Sequence, residues 1–133
     1  MAARRCVISA LALSIATFAS AGLSQGGFPF DSELILDAAP MRGSKRVPNM
    51  DVAANGAMVL EMWCNRIEGQ LVVAGDTLTV LTGQATNRDC PPERAHGDAA
   101  LLAALNEVTH WRREGNTLVL IGPRSLRFRF PTN

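Results

Sequence analysis

Apolar residues recur at every second position in several short stretches of this chain. The most regular stretch lies near the carboxyl terminus, where Leu126, Phe128 and Phe130 alternate with Arg127 and Arg129. Successive side chains of a strand point to opposite faces of a sheet. The alternation therefore predicts a strand with one apolar face and one charged face.

The other predicted strands are short and are separated by glycine, proline and asparagine. The strongest turn signal is Asn55-Gly56, because both residues tolerate the positive φ of a tight hairpin turn. This turn is expected to join a strand that ends near Ala54 to one over 57–64. Further strand patterns cover residues 33–37, 70–73, 77–81, 85–88, 108–114 and 117–121. Within 57–64 the even positions, which include Met62 and Cys64, are expected to face the core. Trp63 then lies on the outer face or beneath a loop.

One helix is predicted late in the chain, near residues 91–106. Pro91-Pro92-Glu93 is typical of a helix start, because proline is tolerated in the first turn and glutamate there complements the helix dipole. Gly97 lowers the stability of this helix by about 1 kcal/mol relative to alanine. The residues expected on its buried face are Ala95, Ala99, Leu102 and Leu105, with Leu101 at the edge.

Short strands, turn signals and one inserted helix together predict a mainly β fold. We expect a small antiparallel β-barrel-like domain with one inserted α-helix near residues 91–106. Closure of the sheet would remove its exposed edges, and the helix would plug or cap one end. An open sheet with the helix packed on one face is the alternative.

The first 21 residues have the three parts of a secretory signal peptide. They are a basic start with Arg4 and Arg5, an apolar run over 6–18, and the small-residue site Ala19-Ser20-Ala21. Cleavage is predicted after Ala21, which implies a periplasmic or secreted protein. The apolar run is shorter than the roughly 20 residues of a membrane-spanning helix, so we expect no stable span after processing. Residues 22–30 are predicted to be a flexible lead-in to one domain over 31–130.

Removal of the signal peptide changes both the charge and the cysteine count. The chain has 13 basic and 12 acidic residues. Loss of Arg4 and Arg5 leaves a formal charge of about −1, which argues against a nucleic-acid partner. Cys6 leaves as well. Cys64 and Cys90 remain, and an even number of cysteines in an oxidising compartment predicts a disulfide between them, with two separate buried thiols as the alternative.

The two histidines are the candidates for a metal site or an acid–base site. His96 and His110 have the right chemistry to join the cysteines around zinc, but no two of these residues lie in a short chelating turn. The acidic residues around His96 are expected to fan around a solvated helical turn. We therefore expect no catalytic residues, no metal and no cofactor.

Positive charge is concentrated in two places. Residues 38–50 contain Pro40, Gly43, Pro48 and several cations, and are predicted to form a basic surface loop. The second concentration, in the last hairpin and strand, is Arg112, Arg113, Arg124, Arg127 and Arg129. This second set fits a surface for anionic headgroups, cell-wall polymers or an acidic protein. The favoured interpretation is the charged face of an edge strand, where charge blocks unwanted pairing.

A set of ordered motifs resembles the META domain family, which includes the HslJ-like bacterial heat-shock proteins. The motif positions are Cys64, Asn65, Gly69, Thr86 and Cys90. The resemblance spans residues 31–130 and departs from the family at Trp63, where glycine is usual. It implies a compact barrel-like domain in envelope or secreted proteins, with links to heat stress. It supplies no catalytic residues.

These observations favour an exported, non-enzymatic binding or structural module related to envelope stress. The expected partner is an envelope protein or a lipid, and the expected state is a monomer. One alternative is a carrier that holds a small apolar ligand inside the barrel. Another is an inhibitor of an envelope lytic enzyme that inserts the loop from Arg42 to Pro48.

Overall fold

The computed structural model describes residues 27–132 and contains eight strands and one helix in that range. The elements are β1 Ser32–Leu36, β2 Asn49–Val52, β3 Ala57–Glu61, β4 Arg66–Ala74, β5 Thr77–Thr82, α1 Pro92–Asn106, β6 His110–Glu114, β7 Thr117–Ile121 and β8 Leu126–Arg129. The predicted signal peptide lies outside the described residues.

The eight strands form a closed antiparallel barrel in which each strand pairs with the next. Strand β8 returns to β1 and pairs Arg129 with Ile35 and Phe128 with Leu36. The predicted mainly β fold with one helix is therefore confirmed, and the open sheet is excluded. Because β8 has a partner on each side, its arginines do not protect an edge. The shortest pairing is between β5 and β6, which are separated in the chain by α1 and pair only through Thr77 and His110.

The interior of the barrel is filled by apolar side chains. Those with less than 2 % of their surface exposed include Leu34, Met50, Met58, Leu60, Ile67, Leu78, Leu105, Leu118, Leu120 and Phe128. In β8, Phe128 is buried while Arg127 and Arg129 are exposed, as the alternation predicted. Such interdigitated side chains leave few voids.

The Asn55-Gly56 turn forms as predicted, but only its glycine adopts a positive φ, of 82°. Asn55 contributes through its side chain, which accepts a hydrogen bond from the amide of Ala57. A β-carbon at Gly56 would lie 2.5 Å from the carbonyl oxygen of Leu71. Glycine is therefore required here for both conformation and space.

Three of the predicted strands differ from the structure. The one expected over 70–73 is longer, since β4 covers Arg66–Ala74. The strand expected over 57–64 ends at Glu61, because the chain reverses and the amide of Met62 donates to the carbonyl of Asn65. Cys64 is therefore half-buried beside the barrel and does not face the core. The strand expected over 85–88 is absent, and residues 83–90 are irregular.

Helix α1 has the predicted extent, but of the four residues predicted on its buried face only Leu105 is buried. Its buried residues are Asp98, Leu101, Ala104 and Leu105. Ala95 and Ala99 are exposed, and Leu102 is only partly buried. The polar residue Asp98 lies within the buried face, and an apolar-pattern search therefore places the stripe on the wrong side of the helix.

The helix covers one end of the barrel, which we call the helix end. Because the strands run alternately up and down, the β1–β2, β3–β4, β5–β6 and β7–β8 connections all lie there. A β-carbon at Gly97 in α1 would contact Trp63 and Met41 from two of these connections, and one at Gly122 would contact Glu107. The prediction that the helix caps the barrel is thus confirmed.

Part of the predicted lead-in belongs to the core. Phe28 is 7 % exposed and lies within the main apolar cluster. Its ring packs edge-on against Trp111, with 5.2 Å between the ring centroids. The glycines and the proline of residues 22–30 concealed this contact, because flexible composition does not prevent one aromatic residue from docking.

Gly97→Ala should lower the free energy of unfolding by about 1–3 kcal/mol, because the added methyl group would displace the Trp63 ring. A β-carbon there would lie 2.7 Å from Trp63 Cδ1. Urea unfolding measures the change. The control is Ala100→Gly at an exposed position of α1, which reports helix propensity alone, about 1 kcal/mol. If Gly97→Ala instead stabilises the protein by that amount, the close packing is absent.

Candidate functional site

The two cysteines join the β3–β4 turn to the segment that precedes α1. Cys64 and Cys90 form a disulfide, with their Cα atoms 6.0 Å apart and a sequence separation of 26. The predicted bridge is confirmed, and two separate thiols are excluded. Since both sulfur atoms are bonded to each other, neither is free to bind zinc with His96 or His110.

Asn65 holds the same two segments together beside the disulfide. Its side-chain oxygen accepts hydrogen bonds from the Thr86 hydroxyl, at 2.9 Å, and from the Arg88 amide, at 2.8 Å. Its side-chain nitrogen donates to the sulfur of Cys90 at 3.3 Å. Both ends of the amide group therefore bind the segment before α1.

Thr86 links that segment to the start of β4. Its hydroxyl accepts a hydrogen bond from the amide of Arg66 at 2.9 Å, and its own amide donates to the carbonyl of Arg66 at 2.9 Å. A side chain thus replaces one half of a strand ladder. This local pairing explains why residues 85–88 have the sequence pattern of a strand without forming one.

Asp98 attaches α1 to the β3–β4 turn. One carboxylate oxygen accepts the amide of Cys64 at 3.1 Å, and the other accepts the amide of Asn65 at 2.7 Å. The residue is only 6 % exposed. The prediction that the acidic residues around His96 lie on a solvated helical turn was therefore wrong for Asp98. The spacing of Asp98 from Leu101 and Leu105 places all three residues on one helix face, and this spacing could have predicted the burial of Asp98.

The predicted motif residues therefore fall into two groups. Cys64, Asn65, Thr86 and Cys90 are in contact, and we call them the motif cluster. Gly69 lies apart in β4, where a β-carbon would overlap the carbonyl oxygen of Leu81 in β5. Within residues 27–132, no group of three histidine, cysteine, aspartate or glutamate side chains is arranged to hold a metal ion.

The family model described as META domain matches residues 30–131. The chain belongs to the META domain family. The fold is similar to that of a protein whose structure was determined by NMR, with 20% identity, a TM-score of 0.60, and coverage of 75% of this chain and 89% of that one. It is also similar to a DUF4847 family protein from Bacteroides vulgatus, with 19% identity, a TM-score of 0.51, and coverage of 65% and 60%. No curated protein matches the chain.

The arginines of the last hairpin and strand of this META domain are mostly engaged within the molecule. Arg112 and Arg127 both bind Glu114, at 2.6 and 3.0 Å. Arg124 pairs with Glu107 at 3.4 Å, and the Arg113 guanidinium lies 4.4 Å from the centroid of the Phe130 ring. Arg129 forms no salt bridge with the described residues.

Glu114 is the described residue whose ionisation these contacts clearly change. The hydrogen bond from Arg112, followed by that from Arg127, lowers the pKa of its carboxyl from the ordinary value of 4.5. A lowered pKa in the folded state stabilises the fold above the pKa of the unfolded residue, and this stabilisation is lost as the pH falls through the folded value. Glu114 and its two arginine partners are largely exposed, so solvent screening keeps their contribution to the stability of the fold small.

An open groove of about 420 Å³ lies on the outside of strands β1–β3. Its lining includes Asp31, Glu33 and Asp51, together with Val59. The groove is separate from the filled interior of the barrel. No helix in residues 27–132 is long and apolar enough to cross a bilayer.

Asp98→Ala should lower the free energy of unfolding by about 2–4 kcal/mol, because it leaves two amides of the β3–β4 turn without their charged acceptor. Urea unfolding followed by tryptophan fluorescence provides the measurement. Asp89→Ala, at an exposed position of the preceding segment, is the control and should change the value by less than about 0.5 kcal/mol. Equal effects of the two changes would contradict a specific role for Asp98.

Replacement of both cysteines by serine should lower the free energy of unfolding by about 3.5 kcal/mol, the loop-closure value for a bridge of this span. The unfolding curve of the unmodified protein with reductant should approach that of the double variant. Reductant should not change the curve of the double variant. If only the double substitution, or only the reductant, lowers the free energy of unfolding, the disulfide is not the cause of the change.

Proposed function

We propose that this META domain is an exported, non-enzymatic binding module of the cell envelope. The proposal rests on the observation that the polar groups and sulfur atoms of the motif cluster form bonds within the chain. The amide of Asn65, the hydroxyl of Thr86 and the two sulfur atoms are all bound to neighbouring parts of the chain. Their chemistry supports the fold, so recognition falls to the outer surface.

Export is supported by the disulfide and by the signal-like first 21 residues. Disulfides persist in oxidising compartments and are rare in the cytosol. The bond between Cys64 and Cys90 matches the compartment to which such a leader directs a protein. The proposed link to envelope stress comes from the family resemblance and predicts more protein after heat stress.

A binding surface on the outside fits this barrel better than a ligand site inside it. The interior positions are occupied by buried leucine, methionine and phenylalanine side chains. A carrier of an apolar ligand would need an enclosed cavity lined by such residues. Inhibition of a lytic enzyme by residues 42–48 is one form that surface binding would take.

Cell fractionation with intact mass measurement tests export. The expected product lies in the envelope fraction, begins at Gly22 and is lighter by two hydrogen atoms than the reduced form. Ala21→Arg, which removes the small residue before the predicted cleavage point, is the control and should accumulate as the uncleaved chain. A full-length, reduced protein in the cytosol would overturn the proposal, as would turnover by the purified protein.

A further inference from the structure

Free positive charge is found on the β1–β2 connection, residues 37–48, which we call the basic loop. Arg42, Lys45 and Arg46 are exposed there. None of the three forms a salt bridge with residues 27–132, whereas carboxylates bind four other arginines of the molecule, three of them on strands. The cations of the basic loop are therefore available to a partner.

Local hydrogen bonds fix the conformation of the basic loop. Gly43 has a φ of 75°, and the amide of Ser44 donates to the carbonyl of Met41 at 2.9 Å, which closes a turn. The Ser44 hydroxyl then contacts both the amide and the carbonyl of Arg46, each at 3.2 Å. Three cations are thus held on five consecutive residues of ordered backbone.

The basic loop is also attached to the helix end. Arg94 of α1 donates to the carbonyl of Gly43 at 3.2 Å. The end of the Met41 side chain packs beside Gly97 and Trp63, and Pro48 is fully buried. The larger apolar side chains of the loop therefore turn toward the molecule while its cations face outward.

We infer that the basic loop binds a carboxylate-rich segment of another exported protein through Arg42, Lys45 and Arg46. This inference rests on the proposed function. An ordered loop loses little conformational entropy when it binds a partner of fixed shape. The arginine guanidinium also matches the geometry of a carboxylate.

The inward packing of Met41 and Pro48 favours a protein partner over a bilayer. Peripheral attachment to a membrane combines positive charge with apolar side chains that enter the boundary between headgroups and acyl chains. The basic loop directs its larger apolar side chains toward the helix end instead. Its exposed cations fit an acidic protein surface.

Fluorescence anisotropy of a labelled short poly-glutamate peptide tests this inference at low ionic strength. The purified, oxidised protein should bind the peptide, and added salt should weaken the binding. Arg42→Gln combined with Lys45→Gln and Arg46→Gln should weaken it by about tenfold or more. Ser44→Ala keeps every charge but loosens the turn, and should weaken it by about threefold.

The matched control combines Arg124→Gln, Arg127→Gln and Arg129→Gln, which removes the same charge from the β7–β8 connection and β8. Its affinity should stay within about twofold of the unmodified protein. Equal losses in the two triple variants, or no binding by the unmodified protein, would overturn the inference.

Binding to phosphatidylglycerol vesicles tests the membrane alternative directly. If the unmodified protein binds these vesicles through the same three cations and does not bind the peptide, the inference is overturned in favour of lipid. Thermal unfolding of each variant verifies that the fold is retained. Because the assays use purified oxidised protein, their failure leaves the fractionation result unaffected, and a failure of export leaves these affinities unaffected.

Discussion

The carboxylate of Asp98 is the contact on which the helix end depends. It accepts the consecutive amides of Cys64 and Asn65, so the helix, the β3–β4 turn and the disulfide become one unit. A charged acceptor for two amides is strong where water is largely excluded. The same bond selects the face of α1 that packs on the barrel. Leu101 and Leu105 lie on the same face as Asp98 and are buried with it.

The barrel could be predicted from the sequence because its strands alternate and its turns contain the residues that turns require. Phe128 between two arginines predicts a strand, and Gly56 after Asn55 predicts a turn, because both patterns depend only on neighbouring residues. The rotation of α1 could not be predicted in this way. Asp98 is polar, and its burial depends on amides more than 30 residues away in sequence. Likewise, the sequence pattern could not predict that Cys64 lies outside β3, where Met62 and Asn65 form a tight turn.

Trp63 and Gly97 show how a departure from a family pattern is accommodated. Trp63 occupies the position before Cys-Asn where the META family usually has glycine. In this chain the small residue lies on the opposing helix, where a β-carbon would overlap the Trp63 ring. Helix and turn therefore approach closely, with the bulky residue on the turn and the glycine on the helix. From the sequence, Gly97 was expected only to lower the stability of the helix.

The distribution of charge separates the surfaces that maintain the fold from the one available for recognition. Glu114 binds Arg112 and Arg127, and Glu107 binds Arg124, so the arginines of the final hairpin act mainly within the molecule. Counting arginines in the sequence could not reveal this, because the fold brings Glu114 to Arg127 across the sheet and Glu107, after α1, to Arg124. The basic loop has fewer cations, but its turn keeps Arg42, Lys45 and Arg46 away from such partners. On the basic loop, all three cations are thus left without a salt bridge to the described residues, in contrast to Arg112, Arg124 and Arg127.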